Sequence, residues 1–326
     1  MPAPASRAAP HPYSTLTPDV VVEAVEAIGH RCDGRVLALN SYENRVYQVG
    51  REEDTPVVVK FYRPGRWSTP AILEEHAFAL ELAAAEVPVV APEVREGRSL
   101  FEASGFRYAV YPRQGGHWPE LGSKDERQWM GRFLARIHAI GRTRAFRHRP
   151  RLDWRVMGGE TMGYLLEEGW IPSHIELAYE SVARDALMIV EQRFDEATPY
   201  RTLRLHGDCH PGNVLWTDDG PHFVDLDDCM TGPAVQDLWM LISGRPEEMQ
   251  AQLDDLLEGY AQFADFDYHE LRLIEPLRTL RIMHYAGWLA RRWEDPAFPR
   301  AFPWFEEPKY WEQHVLDLRE QISAME

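Results

Sequence analysis

His206-Gly207-Asp208-Cys209-His210-Pro211-Gly212-Asn213, followed by Val214-Leu215-Trp216, Asp218-Asp219-Gly220 and His222-Phe223-Val224-Asp225, is the stretch that decides how this chain is read. An aspartate sits in a short polar turn, and an asparagine follows five residues later. Two apolar runs around an Asp-Asp-Gly turn predict a hairpin, which brings Asn213 and Asp225 to one end, near Asp208. Two oxygen ligands beside a phosphate chain suit Mg²⁺, which keeps several waters and takes few protein ligands. Asp208 is then left to orient an attacking hydroxyl and accept its proton. The spacing His206-x-Asp208-x-His210 also fits a metal cluster of a hydrolase. The segment alone leaves both readings open.

Outward from this segment, the bulk numbers narrow the class. A chain of 326 residues with 44% hydrophobic and 27% charged residues is an ordinary globular balance, and its length predicts two lobes. A formal charge of −17 argues against nucleic acid as a partner. Three cysteines, Cys32, Cys209 and Cys229, have no paired spacing and fit a reducing compartment. No apolar run approaches the roughly 18 residues of a membrane span. A cytoplasmic monomer is expected, without nucleic-acid or membrane partners.

Residues 1–16 read as a flexible leader. Thr17-Pro18-Asp19 opens a helix with an N-cap and a proline at its first position. Strand patterns follow at 36–39, 45–49 and 57–62, with Gly50 to Asp54 as a hairpin loop. A second helix runs from Thr69 to about Glu86, and a strand at 106–112 ends in the linker Gln114-Gly115-Gly116. Helical patterns then occupy 123–140, 160–170, 174–195, 234–242, 246–264 and 268–293, interrupted by short strands at 213–216 and 222–225. The expectation is an α+β, bilobal, protein-kinase-like fold: a β-rich nucleotide-binding lobe over 17–112 and a mainly helical lobe over 113–326. The cleft of such an architecture is the default binding site.

The segment His206-Gly207-Asp208-x-His210-x-x-Asn213 resembles the catalytic loop of the aminoglycoside phosphotransferases, choline kinases and their relatives. That resemblance implies ATP and Mg²⁺ as cofactors, Asp208 as catalytic base, and Asn213 and Asp225 as metal ligands. Asp225 would stand for the aspartate of the kinase Asp-Phe-Gly motif, although Asp225-Leu226-Asp227 lacks the glycine. His206 would hold the loop, and Asp237 would brace it. In the first lobe, Val57-Val58-Val59-Lys60 is similar to the strand that ends in the phosphate-contacting lysine. Glu75 takes the place of that lysine's partner, with Glu74 as an alternative. The loop Asn40-Ser41-Tyr42-Glu43-Asn44 replaces a glycine-rich loop, so Ser41 and backbone amides would cover the phosphates.

Similarity to a branch of bacterial serine/threonine protein kinases within that family runs from about Thr17 to Trp311. It implies a protein hydroxyl as acceptor, the chain itself included, and a part in stress response. Only twelve positions separate Asp225 from Asp237, too few for a long peptide-docking segment, which points to a small alcohol such as an amino-sugar, choline or homoserine. A nucleotide-binding pseudoenzyme is the reading from another class. Several features also have plainer readings. Lys60 fits a solvated strand edge, Glu75 a surface charge, and Cys209 an inert buried thiol. The basic stretch Arg142 to Arg151 reads as a solvated connector, or as a dock for an acidic partner. Trp288 to Trp304 reads as core and lid packing.

Overall fold

The computed structural model describes residues 11–52 and 54–326. Helix α1 (Pro18–Glu26) precedes strands β1 (Cys32–Ala38), β2 (Arg45–Arg51) and β3 (Asp54–Phe61). Helix α2 (Thr69–Ala84) precedes β4 (Phe101–Ala103) and β5 (Phe106–Pro112). Helices α3 (Lys124–Gly141), α4 (Thr161–Glu167) and α5 (Glu176–Ala197) lead to β6 (Leu203–Leu205), β7 (Val214–Thr217), β8 (Gly220–Phe223) and β9 (Met230–Gly232). Helices α6 (Pro246–Tyr260), α7 (Ile274–Arg292), α8 (Ala297–Ala301) and α9 (Pro308–Met325) follow. The fold is the expected α+β class, and the chain divides into two compact units.

The first unit takes the chain up to Ser68, Glu93–Arg113 and Arg291–Pro303. Its antiparallel sheet has the order β1-β2-β3-β5-β4. Alternation along β3 sends Val57, Val59 and Phe61 into a core with Val21, Ala24 and Val25 of α1, and leaves Val58 and Lys60 on the other face. The α1 start is as expected: the Thr17 hydroxyl accepts the Val20 N–H, and Pro18 is the first helical residue. Of the expected leader, residues 1–10 lie outside the described residues, as does Glu53 of the hairpin loop. Tyr13 is anchored in the core, its hydroxyl 3.1 and 3.2 Å from the carbonyl oxygens of Glu43 and Phe61.

Far along the sequence, Asp295 is tied into the same unit. Its carboxylate accepts two bonds of 2.9 Å from Arg45 Nη2 and one of 3.1 Å from Arg63 Nη1. Burial alone would raise this carboxyl, but the Ala297 N–H, Arg45 and Arg63 outweigh it and hold it below the usual range. Beside it, Glu43 accepts from Arg292 Nε at 3.0 Å, and Tyr42 packs 4.9 Å from the Phe302 ring. The aromatic stretch therefore contributes packing around loop 40–44.

The second unit takes Thr69–Pro92, Gln114–Ala290 and Trp304–Glu326. Helix α3 opens with a capping box, Ser123 and Glu126 each accepting the other's backbone N–H. Two glycines set how closely α3 and α6 approach. A Cβ at Gly131 would lie 2.0 Å from the Leu256 carbonyl oxygen, and one at Gly259 would lie 2.1 Å from that of Gln128. The helix expected over 234–242 is replaced by 3-10 turns at Ala234–Asp237 and Trp239–Leu241. The turns close i→i+3 bonds, Leu238 N–H to the Val235 carbonyl at 3.0 Å and Leu241 N–H to that of Leu238 at 3.1 Å, and the Glu270 carboxylate caps the free Val235 N–H at 3.0 Å. The helix expected from 268 begins as a 3-10 segment, Tyr268–Leu273, before α7.

Overpacking a backbone-to-backbone contact costs about 1–3 kcal/mol. Gly131→Ala should therefore lower the urea midpoint without changing the slope. Gly163→Ala in α4, where a Cβ meets nothing within 4 Å, should leave it unchanged or raise it. Equal midpoints for the two variants would contradict the close-approach account.

Candidate active site

The β7–β8 hairpin pairs Val214 with Phe223, and Val224 N–H donates to the Asn213 carbonyl at 3.0 Å. This places Asn213 and Asp225 at one end of the hairpin, with Asp225 in the left-handed region at φ 57°. The Asn213 amide nitrogen donates to the Asp208 carbonyl oxygen at 2.9 Å and to Asp208 Oδ2 at 3.3 Å. Its amide oxygen is left without a partner among the described residues. Asn213 is thus in contact with Asp208, and Asp225 stands at the same end of the hairpin as Asn213.

The loop that carries Asp208 is suspended from Asp237. That carboxylate is fully buried and accepts His206 N–H at 2.9 Å, Gly207 N–H at 2.8 Å and His138 Nε2–H at 3.0 Å. His138 Nδ1 is in turn 3.0 Å from the Tyr260 hydroxyl. Gly207 has φ 87°, and a Cβ there would lie 2.2 Å from the Asp228 carbonyl oxygen, so only glycine fits. Gln236 Nε2 donates to the Gly207 carbonyl at 2.9 Å, which ties the other side of the turn. His206 Nε2 donates to the Val224 carbonyl at 3.0 Å and so joins the loop to the strand end before Asp225. This engages the histidine's Nε2 in structure, unlike the alternative in which His206, Asp208 and His210 share a metal.

Two further side chains meet Asp208. His210 Nδ1 accepts the Gly212 N–H at 3.0 Å, so the ring proton is on Nε2, 3.4 Å from Asp208 Oδ2. Arg281, on α7, donates from Nη1 to Asp208 Oδ1 at 2.5 Å. Burial works to raise the Asp208 carboxyl, but His210 and Arg281 outweigh it and hold it well below the usual carboxylate range. The group is therefore ionised, as a proton acceptor must be. Arg281 also lines a cleft of about 360 Å³ with His210, Trp239, Ile242, Arg278 and Tyr285.

Of the remaining expected residues, Glu75 on α2 and Asp237 belong to this unit, while Lys60 and Ser41 belong to the first. Lys60 is buried, its ammonium 4.9 Å from the Tyr62 ring centre and 5.8 Å from that of Tyr111. Ser41 Oγ donates to the Asn44 carbonyl at 3.2 Å and closes its loop. Glu75 is 2% exposed. Glu74, the alternative, faces elsewhere: its carboxylate accepts the backbone N–H groups of Arg147, His148 and Arg149 at 2.7–3.0 Å. Arg142, Arg144, Arg147 and Arg151 of the basic stretch are exposed, as a solvated connector would be, and Arg149 alone of its arginines is buried. Arg149 is buried against the Asp227 and Cys229 carbonyls, and Arg144 pairs with Glu81 at 2.8 Å. Cys209 is fully buried, and burial pushes its thiol up, in keeping with the inert reading.

Sequence reasoning did not single out Arg281 or Glu270. Arg281 sits in Leu277-Arg278-Thr279-Leu280-Arg281-Ile282, an ordinary amphipathic pattern. The only available signal was a pair of arginines three apart with no carboxylate at helical spacing after them.

Residues 35–274 match the phosphotransferase enzyme family, and the chain belongs to that family. It is 44% identical to stress response kinase A of Escherichia coli (strain K12), over 96% of this chain and 95% of that protein. It is also 44% identical to the serine/threonine protein kinase RdoA of Salmonella typhimurium (strain LT2), over 96% of this chain and 94% of that one. Among solved structures, amicoumacin kinase hAmiN, in complex with AMP-PNP, Ca²⁺ and Ami, is similar in fold. Its TM-score is 0.65 at 22% identity, over 89% of this chain and 93% of its own. The chain is an enzyme, a kinase. No helix among the described residues is long and apolar enough to cross a membrane.

The brace has a pH signature. Burial raises the Glu270 carboxyl from an ordinary 4.5 to about 7. Between these values the folded chain holds a proton that the unfolded chain has released, so stability falls as pH rises through the window and levels off above it. Glu270→Gln removes the titration while keeping an acceptor for Val235. The wild type should therefore lose more stability than Glu270→Gln between about pH 5 and about pH 8 in urea denaturation. Parallel changes would contradict the assignment.

Proposed function

We propose that the chain transfers the γ-phosphoryl group of ATP to a serine or threonine hydroxyl of a protein, its own chain included, with Asp208 as the base. The observation that carries this reading is the Asp208 carboxylate, kept ionised and bonded to the Asn213 amide nitrogen, so that the amide oxygen is left open. In the transfer, the acceptor oxygen bonds to the γ-phosphorus and the bond to the bridging oxygen of ADP breaks. The hydroxyl proton passes to Asp208.

The donor set fits magnesium: an open amide oxygen and the Asp225 carboxylate are hard oxygen ligands. Held there, the ion would neutralise phosphate charge. The AMP-PNP and Ca²⁺ of the similar amicoumacin kinase support a nucleotide and a divalent cation in this fold. Lys60 and Ser41 keep the phosphate-binding roles that family resemblance implies, and Glu75 that of the partner of Lys60. His206 and Asp237 hold the loop. The names of the two bacterial relatives support a protein acceptor and a part in stress response.

One observation favours a small-molecule acceptor instead. Between Asp225 and Asp237 the chain forms only a 3-10 turn, strand β9 paired to β6, and a second 3-10 turn. No long segment is left there to dock a peptide.

Asp208→Asn keeps the shape but removes the proton acceptor. It should lower phosphoryl transfer by about 10²–10⁴-fold while leaving nucleotide affinity near the wild type, measured with labelled ATP and by equilibrium binding. Wild-type turnover in that variant would sink the assignment. Supplying protein and metabolite pools separately decides between the two acceptor classes.

A further inference from the structure

The cleft beside Asp208 has an unusual charge for this chain. The protein carries a formal charge of −17, yet the lining of the cleft includes Arg278 and Arg281 and, among the described residues, no aspartate or glutamate. The two arginines differ. Arg278 is neutralised locally, its Nε donating to Glu275 Oε2 at 3.1 Å and its guanidinium lying 5.3 Å from the Trp239 ring centre. Arg281 has one partner among the described residues, Asp208, reached through Nη1. Its Nε and Nη2 donors remain open, and the side chain is 43% exposed.

This arrangement discriminates between acceptors. An amine-bearing alcohol would bring a cation against the half-exposed guanidinium of Arg281 with no lining carboxylate to receive it, and like-charge juxtaposition is unfavourable. A hydroxyl with a carboxylate nearby meets the reverse situation. The planar guanidinium fork of Arg281 matches a carboxylate with two parallel hydrogen bonds. Drawing Arg281 to the acceptor also frees Asp208 Oδ1, the oxygen it now occupies, to accept the hydroxyl hydrogen. Trp239, Ile242 and Tyr285 complete the lining with apolar surface, which suits the side chain of a neighbouring peptide residue better than a polyhydroxylated sugar.

We infer that Arg281 is a specificity-determining residue. It selects serine or threonine hydroxyls flanked by an acidic side chain, exchanging its bond to Asp208 for one to the acceptor's carboxylate. The inference rests on the reading of Asp208 as the base.

The test uses the full chain, MgATP and synthetic peptides with a single serine flanked by acidic, neutral or basic residues. Wild type should prefer the acidic peptide to the neutral one by about tenfold or more in kcat/KM, the scale of a hydrogen bond to a charged group. Arg281→Gln should lose that preference mainly through KM, and Arg281→Glu should shift preference to the basic peptide. A residue with only a structural role would depress all three peptides equally, and that result would overturn the inference. So would a wild type indifferent to flanking charge. Transfer to small hydroxy acids but to no peptide would overturn the choice of a peptide acceptor. Absence of transfer to any acceptor would overturn instead the reading of Asp208 on which the inference rests.

Discussion

Everything in the second unit's site hangs on one buried carboxylate. Asp237 is fully enclosed, and such a group is tolerated only when its oxygens are saturated by donors. Here they are: two successive backbone N–H groups and an imidazole converge on it. The backbone pair can converge only because Gly207 turns through a positive φ, against the Asp228 carbonyl, where no side chain fits. That turn aims the next residue, Asp208, away from the brace. The supports extend outward in layers, with Gln236 on the Gly207 carbonyl, Glu270 on Val235, and Tyr260 behind His138. Because a partly satisfied buried network is worse than none, these groups act as a unit.

Arginine has a similar internal use elsewhere in this acidic chain. Asp295 is enclosed by Arg45 and Arg63, Glu43 receives Arg292, and Arg149 is buried against two carbonyl oxygens. Guanidinium suits such places because it presents several donors in a plane and is weakly hydrated compared with ammonium. A surplus of acid in the composition therefore coexists with dense local pairing. Net charge describes solubility and long-range fields here, while the fold is organised by individual pairs.

The parts of the site legible in the sequence are those encoded locally. The hairpin 214–223, the turn at 206–213 and the strand ending in Lys60 are each specified by a few adjacent residues whose alternation and turn chemistry need no tertiary information. Glu74 and Glu75 show where that legibility stops. They are neighbours of identical type, yet helix phase buries Glu75 and points Glu74 at three backbone amides more than seventy residues away. The same holds for Arg281, whose bond to Asp208 spans 73 positions, and for Asp295, 250 positions from Arg45. The helix anticipated over 234–242 was misread for a related reason. Its apolar spacing is genuine, but the segment closes as two 3-10 turns, and side chains from outside it, such as Glu270 on the Val235 N–H, hold it in place. Tyr13 likewise looks like part of a polar, proline-containing leader until the core that receives it exists.

Two aspartates of this site, both ringed by donors, have different capacities for chemistry. Asp237 is bound by main-chain amides and a fully buried histidine, none of which can leave without unmaking the loop. It is a poor candidate for accepting a substrate proton, because the group is fully buried and three of its roughly four acceptor positions are occupied. Asp208 is 22% exposed, and its other side-chain partners are partly exposed, Arg281 at 43% and His210 at 36%. Such partners are held weakly enough by solvent-screened contacts to be exchanged. Their charge and hydrogen bonds nevertheless suffice to keep the carboxylate ionised until an acceptor arrives. Partners that can depart fit Asp208 to the proposed role of base, and partners that cannot depart fit Asp237 to holding the loop, even though the side chain is the same.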